Sequence, residues 1–465
     1  MISYLYQHIE TLFGFFLAVI LLARVFREHE RPSTSIAWFW VIVVVPYLGV
    51  PAYLLFGGRK LRHRADRKKK LYARDQNPPS QDYEHRSETE RILVWSGLPA
   101  AQEGNEVRLL ANGVDAYSTL IEMIENAEKS IHVMSFILGR DPVGREIIDR
   151  LCRKARSGVQ VRLLLDALGS YRNRGRFLAP LLDAGGQVGI FMPMLPLHRK
   201  WSANLRNHRK IAIVDGQTAM MGGMNLAREY MGPAPDPTRW IDADFLVRGS
   251  AVHDLSDIFN QDWLFATGQE PAQIDHTPHT AKQFPSNVRA QVVASGPDVE
   301  GDPFYDAVIS TLYDAKERIW VVTPYFVPDD GLFRALMLQS RLGYDVRIVL
   351  PARSNHWITD LARGRYLRQL QQSGVRVFVH PNRMIHAKLM VVDGDIAIAG
   401  SANLDMRSFY LNYEVAMFLY SSAMVEQVAH WIGALIHECR VAPTSKPGPL
   451  RQWGEDLAWL ASPLL

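Results

Sequence analysis

The sequence predicts an α/β protein: two pseudo-symmetric α/β units packed around one active site, preceded by an N-terminal hairpin of two transmembrane helices. Three observations carry this expectation. Near the N-terminus, residues 32–58 form a run of 27 without Asp, Glu, Lys or Arg. A dense basic cluster comes directly after it. The remainder contains one His-Lys-Asp pattern twice, at identical spacing.

Composition sets the limits first. A chain of 465 residues has room for about three domains of about 150 residues each. Its 48% hydrophobic and 22% charged residues exclude wholesale disorder. Two cysteines, Cys152 and Cys439, exclude a disulfide scaffold and a thiolate zinc site.

The uncharged run, PSTSIAWFWVIVVVPYLGVPAYLLFGG, is long enough to cross about 30 Å of hydrocarbon. Trp38, Trp40, Tyr47 and Tyr53 suit the interfaces. An earlier apolar stretch, residues 9–25, has Glu10 and Arg24 at its edges and reads as a first span. The first eight residues carry no Lys or Arg, which argues against a cleaved signal peptide. Residues 59–70, RKLRHRADRKKK, hold eight Lys/Arg and one Asp, a net +7 against +4 for the whole chain. That surplus places everything after Gly58 on the cytoplasmic side, and two crossings return the N-terminus there as well. The cluster also suits an anionic membrane surface. The rest of the chain sums to −3, which argues against nucleic-acid binding.

A repeat organises the rest of the chain. The segment 207–225, NHRKIAIVDGQTAMMGGMN, matches 385–403, IHAKLMVVDGDIAIAGSAN. Upstream, AEKSIHVMSFI (127–137) matches AKERIWVVTPYF (315–326), and GVQVRLLLD (158–166) matches YDVRIVLPA (344–352). Each copy reads helix, apolar strand, helix, apolar strand, then the His-bearing segment. Wholly apolar strands such as VRLLL and VRIVL suit a parallel sheet covered on both faces. The expected organisation is 1–58 membrane helices, 59–106 basic juxtamembrane linker, 107–266 first unit, 267–287 Pro-bearing linker, and 288–465 second unit with an amphipathic C-terminal tail.

Alternation puts His208 and Lys210, and likewise His386 and Lys388, on one face of a strand. Asp215-Gly216 and Asp393-Gly394 are hairpin-turn dipeptides. Read as two-residue turns, they pair Val214 with Gln217, His208 with Gly223, and His386 with Ser401. Asn225 and Asn403 then return beside the histidines. Each Asp lies seven residues from its His, roughly 23 Å along an extended strand, and on the other face. That favours a turn-supporting role for Asp215 and Asp393 over phosphate contact.

A pseudo-two-fold axis would gather two His, two Lys and two Asn in one cleft, a set suited to phosphoryl transfer. One neutral imidazole attacks phosphorus and the other shuttles the proton of the leaving and entering alcohols. The lysines and asparagines hold the nonbridging oxygens. No cofactor or metal is required by this set. Each imidazole needs an acidic partner to orient it. Glu414 and its counterpart Asp242 are the candidates, with Asp244 as an alternative.

These residues resemble the phospholipase D superfamily, whose hallmark is a duplicated H-x-K-x4-D followed by G-S-x-N. The resemblance covers nearly all of 107–465. Its first copy departs at Gly223, where the family often has Ser; Ser401 supplies the hydroxyl in the second. The uncharged run, LLLDALGS (163–170), TPYFVPDD (323–330), GSANLDMRSFYLNYE (400–414) and the closing SPLL resemble bacterial cardiolipin synthases. That family condenses two phosphatidylglycerols into cardiolipin and glycerol. The resemblance implies His208 as nucleophile and His386 as acid/base. It also counts Lys210, Lys388, Asp215 and Asp393 as motif members. It implies substrates in the bilayer, a multi-pass protein of the bacterial cytoplasmic membrane, and no nucleic-acid partner; a homo-oligomer is compatible with it. FMPMLPL (191–197) and the tail 450–465 are candidate apolar walls against water. A hydrolytic phospholipase D, a metal-independent nuclease and an inactive scaffold are the competing readings.

Overall fold

The computed structural model describes residues 39–45, 47, 49–50, 68, 70–72, 86–171, 175–193, 205–270, 287–445 and 447–460. The chain divides into two compact units, Met1–Lys68 with Met194–Leu205, and Lys69–Pro193 with Arg206–Leu465. In the first unit, described residues 39–44 are helical. Most of both expected membrane spans, and most of the 191–197 segment, lie outside the described residues. Among the described residues, no helix is long and apolar enough to cross a membrane.

The second unit holds both copies of the repeat. Copy one contributes β1 (Gln102–Leu110), β2 (Ser130–Ser135), β3 (Gln160–Asp166), β4 (Gln187–Phe191), β5 (Ile211–Val214), β6 (Thr218–Gly222) and β7 (Asp244–Arg248). Copy two contributes β8 (Val288–Ser295), β9 (Arg318–Val322), β10 (Phe326–Val327), β11 (Asp345–Pro351), β12 (Arg376–His380), β13 (Leu389–Val392), β14 (Ile396–Gly400), β15 (Leu404–Asp405), β16 (Glu414–Leu419) and β17 (Arg440–Val441). One fifteen-stranded sheet runs β4-β3-β2-β5-β6-β7-β1-β8-β16-β14-β13-β9-β11-β12-β17. Outward from the β1–β8 junction, the two halves have the same strand order. The junction is antiparallel, with Gln102 opposite Ala290. Joining equivalent strands antiparallel is what a two-fold axis produces.

The sheet is mixed rather than parallel. β2-β3-β4 and β9-β11-β12 are parallel, as their apolar composition suggests. The hairpins and their neighbours are antiparallel, because tight turns connect them. Helices cover the sheet through amphipathic faces. Pro142–Arg156 is representative: Asp141 caps it, Pro142 opens it, and Arg153, Lys154 and Arg156 close it. Its Val143, Ile147, Ile148 and Leu151 are buried in the core of the first copy.

The helix Glu88–Trp95 lies in the segment expected as linker, yet its Leu93 sits in the core of the second copy. The C-terminal helix Pro449–Leu460 packs on the helix Trp357–Gln372. Arg368 and Arg451 both reach its buried Glu455, while Leu450, Trp453 and Leu457 face outward.

The turn geometry differs from the expected one. Val214 pairs with Thr218 and Val392 with Ile396, so each loop has three residues, not two. Asp215 and Asp393 take left-handed backbone angles, φ 54° and 51°. This one-residue change also cancels the expected pairing of His208 with Gly223 and of His386 with Ser401. The ladders start only at Ile211 and Leu389, leaving each His and Lys on the extended chain just before the strand.

Candidate active site

The approach to each strand is what positions the histidines. The amide of His208 donates to the carbonyl of Tyr413 at 2.9 Å, and that of His386 to the carbonyl of Ile241 at 2.7 Å. Each histidine backbone is therefore anchored to the other copy of the repeat. The side chains cross over as well. His208 Nδ1 lies 3.2 Å from Glu414 Oε1, a contact that becomes an ion pair only when the imidazole is protonated. His386 Nδ1 lies 2.7 Å from Asp242 Oδ2. Both carboxylates are fully buried.

Lysine and histidine are neighbours in both copies. Lys210 Nζ donates to the carbonyl of His208 at 2.6 Å. Lys388 Nζ lies 2.8 Å from His386 Nδ1 and also meets the carbonyl of that residue. The two pairs share one electrostatic site: the charge of Lys388 opposes protonation of His208, and that of Lys210 opposes protonation of His386.

Burial dominates the proton affinities. It pushes His208 down to about 4, with Lys210 adding to the effect, and His386 down to about 3, with Lys388 adding. Burial also pushes Lys210 down to about 8 and Lys388 down to about 7. Burial acts to raise Glu414, but the nearby His208 and Lys210 hold it below its ordinary value. An anion arriving in this cluster would favour every protonated form at once.

The remaining expected residues fall into three groups. Ser401 turns its hydroxyl onto Glu414 Oε2 at 2.5 Å and accepts the amide of Val415. Asn225 accepts the amide of Ile137 at 3.0 Å, and Asn403 donates to Ser408 at 3.3 Å. Asp244, the alternative orienting acid, accepts the amide of Met224. Burial and neighbouring Asp242 push it up to about 8. Asp215 and Asp393 sit at the turn ends of their hairpins. Asp215 accepts the amides of Glu128, Lys129 and Ser130 at 2.7–2.9 Å. Asp393 accepts those of Lys316, Glu317 and Arg318 at 2.8–2.9 Å. Each fastens its hairpin to the start of the neighbouring antiparallel strand, β2 or β9.

Gly223 has a steric reason. A Cβ there would fall 2.2 Å from Asp242 Oδ1. The first copy gives that space to its carboxylate, while the second places Ser401 there and reaches around with the longer Glu414.

Several contributors carry no clear mark in the sequence. Phe136 packs on His208 with ring centroids 4.5 Å apart. Tyr230 and Trp240 pack on His386 at 5.0 and 5.4 Å. Arg209, between His208 and Lys210, points to the opposite side and is fully buried. It binds Asp262 at 2.9 Å, Asp298 at 3.1 Å and the carbonyl of Glu414 at 3.0 Å. It rivets the two copies directly behind the site. Its one sequence signal is a charge at the middle position of H-x-K, where the second copy has Ala387.

A family model described as "Cardiolipin synthase, PLD-like domain" matches residues 120–263 and again 308–436. The chain belongs to the cardiolipin synthases of the phospholipase D superfamily. A second model, "Phospholipase_D-nuclease N-terminal", matches residues 16–58. Among related cardiolipin synthases, cardiolipin synthase 1 of Bacillus anthracis is 36% identical over 87% of this chain and 83% of that protein. The major cardiolipin synthase of Bacillus subtilis (strain 168) is 35% identical over 89% of this chain and 90% of that protein. The phosphatidylserine synthase structure of Haemophilus influenzae shares the fold, with TM-score 0.62 and 16% identity, covering 82% of this chain and 100% of that one.

Proposed function

We propose that this cardiolipin synthase transfers a phosphatidyl group between two phosphatidylglycerols through a phosphohistidine. His208 Nε2 attacks phosphorus, and the bond from phosphorus to the glycerol oxygen breaks. His386 gives its proton to that oxygen, and glycerol leaves. The hydroxyl of the second phosphatidylglycerol then attacks phosphorus as His386 takes its proton, and the phosphorus–nitrogen bond breaks to regenerate His208. Lys210 and Lys388 hold the nonbridging oxygens. The phosphate brings the negative charge that lets His386 carry a proton in a site that otherwise disfavours it. Asp242 and Glu414 orient the rings, and Ser401 orients Glu414.

The observation that supports this reading most strongly is the crossed pairing of His208 with Glu414 and of His386 with Asp242. The test is product analysis with the full chain in phosphatidylglycerol vesicles. Cardiolipin with equimolar glycerol is expected, and His208→Ala should yield neither product nor acid-labile phosphoenzyme. Phosphatidic acid as the dominant product would instead make this a hydrolase.

Residues 9–25 and 32–58 are assigned to two membrane spans, with both ends of the chain cytoplasmic. The uncharged run and the +7 cluster after it support this topology. The outward Leu450, Trp453 and Leu457 suit the bilayer interface. Alkaline phosphatase fused between residues 26 and 31 should be active outside the membrane, and fused after residue 70 it should be inactive.

A further inference from the structure

A cavity of about 560 Å³ opens beside the candidate active site, lined by Ile137, Tyr230, Trp240, Arg140, Arg145 and Arg228. Tyr230 and Trp240 form its wall toward the site, since both rings pack on His386. Ile137 adjoins it through the hydrogen bond from its amide to Asn225.

The repeat supplies the contrast. β2 corresponds to β9, the cap Asp141 to the cap Asp329, and Asn225 to Asn403. The same correspondence places Pro328 opposite Arg140, Phe333 opposite Arg145 and Met406 opposite Arg228. None of these three positions carries a guanidinium in the second copy; the neighbouring Arg407 interacts with Asp405 instead. The matching space there is filled as well: Val327 is buried against Ala362 of the helix Trp357–Gln372 and Ala458 of the C-terminal helix. Among the described residues, the first copy places only a short turn, Gly175–Phe177, and the short helix Ala179–Asp183 between β3 and β4. The lining also contains two acids. Asp141 is engaged by the amides of Val143, Gly144 and Arg228. Glu229 is exposed at the rim.

The transfer reaction is asymmetric in the same way. Its two phosphatidylglycerols are alike, but only one is attacked, while the other presents a hydroxyl to His386 and keeps its own phosphodiester at a distance. That second anion needs cations away from the two catalytic lysines. We infer that this cavity holds the headgroup of the acceptor lipid, with Arg140, Arg145 and Arg228 binding its phosphodiester and its terminal hydroxyl directed past Tyr230 and Trp240 to His386. The inference rests on the two-histidine reading above. Guanidinium groups suit a phosphodiester because they donate in pairs.

The test compares the unsubstituted full chain with R140Q/R145Q/R228Q in phosphatidylglycerol proteoliposomes. All three side chains are exposed, so folding should be retained. Phosphohistidine formation from the donor should stay unchanged, while the ratio of cardiolipin to phosphatidic acid falls about tenfold or more. Lysine at the same positions should restore part of the ratio. A second arm offers isotopically labelled glycerol or labelled glycerophosphoglycerol as soluble acceptor, since transfer to glycerol regenerates the donor lipid and is seen only through the label. The unsubstituted enzyme should prefer the phosphodiester-bearing acceptor, and the triple variant should lose that preference. An unchanged ratio and preference would overturn the inference, as would an equal loss of phosphohistidine and cardiolipin. If the unsubstituted enzyme forms no phosphohistidine, the two-histidine mechanism fails, and the acceptor preference still decides the inference.

Discussion

His208 and Glu414 stand 3.2 Å apart although they belong to opposite copies of the repeat, and His386 and Asp242 repeat the relationship at 2.7 Å. Neither copy contains a complete histidine–acid pair. The candidate site is assembled only where the copies meet, through Glu414 beside His208 and Asp242 beside His386.

Removing one acid should therefore disable the histidine of the other copy. Glu414→Gln and Asp242→Asn keep shape and lose the charge that orients and supports an imidazolium. Each should lower kcat by about a hundredfold or more while leaving the folded yield unchanged. Phosphoenzyme trapping separates them. Glu414→Gln should impair its formation, and Asp242→Asn its breakdown as well.

The motif aspartates should behave differently. Each accepts three backbone amides at a turn, far along the hairpin from its histidine. Asp215→Asn should destabilise the chain by about 1–3 kcal/mol, seen as a lower melting temperature and lower folded yield. The protein that does fold should keep its specific activity. A well-folded but inactive Asp215→Asn would contradict this assignment.

Restoring the serine of the family pattern should be harmful. The Cβ of Gly223→Ser would meet Asp242 Oδ1 at 2.2 Å and displace the acid from His386. Activity should fall to near that of Asp242→Asn. Gly223→Ser with full activity would show that the carboxylate has another place to go.

Arg209→Met should unfold rather than merely slow the enzyme. It leaves Asp262 and Asp298 buried without their cation, an effect of about 3–5 kcal/mol. Denaturant titration of the detergent-solubilised chain measures it.

Acid should destabilise the ligand-free protein through the same site. His208 and His386 titrate near about 4 and about 3 when folded, against about 6.5 when unfolded. Between those values the unfolded chain holds more protons, so the contribution of the two histidines is complete above about pH 6.5 and falls as pH drops toward about 4. Melting temperature should decline over that window, and a His208→Gln, His386→Gln variant should show a shallower decline.

Much of this is legible in the residues alone. Apolar runs such as VRLLL and VRIVL announce parallel strands, the Asp-Gly pairs announce hairpins, and identical spacing announces two copies of one unit. These are signals within a few residues, set by side-chain alternation and turn chemistry. β1 and β8 are harder to see because QEGNEVRLL and VRAQVVAS lack that plain pattern. The turn length is misjudged from the dipeptide because a left-handed Asp fits a two-residue and a three-residue loop alike, and only the register, Val214 with Thr218 and Val392 with Ile396, separates them. Local pattern and its repetition were enough for the family, the duplicated fold and the His–Lys neighbours. The folded arrangement was needed to assign each acid to its histidine, to explain why Gly223 must be small, to locate the anchor of Arg209 and to show which copy carries the arginine-lined cavity. Those facts depend on contacts between residues far apart in the chain, and a symmetry axis, not local propensity, brings such residues together.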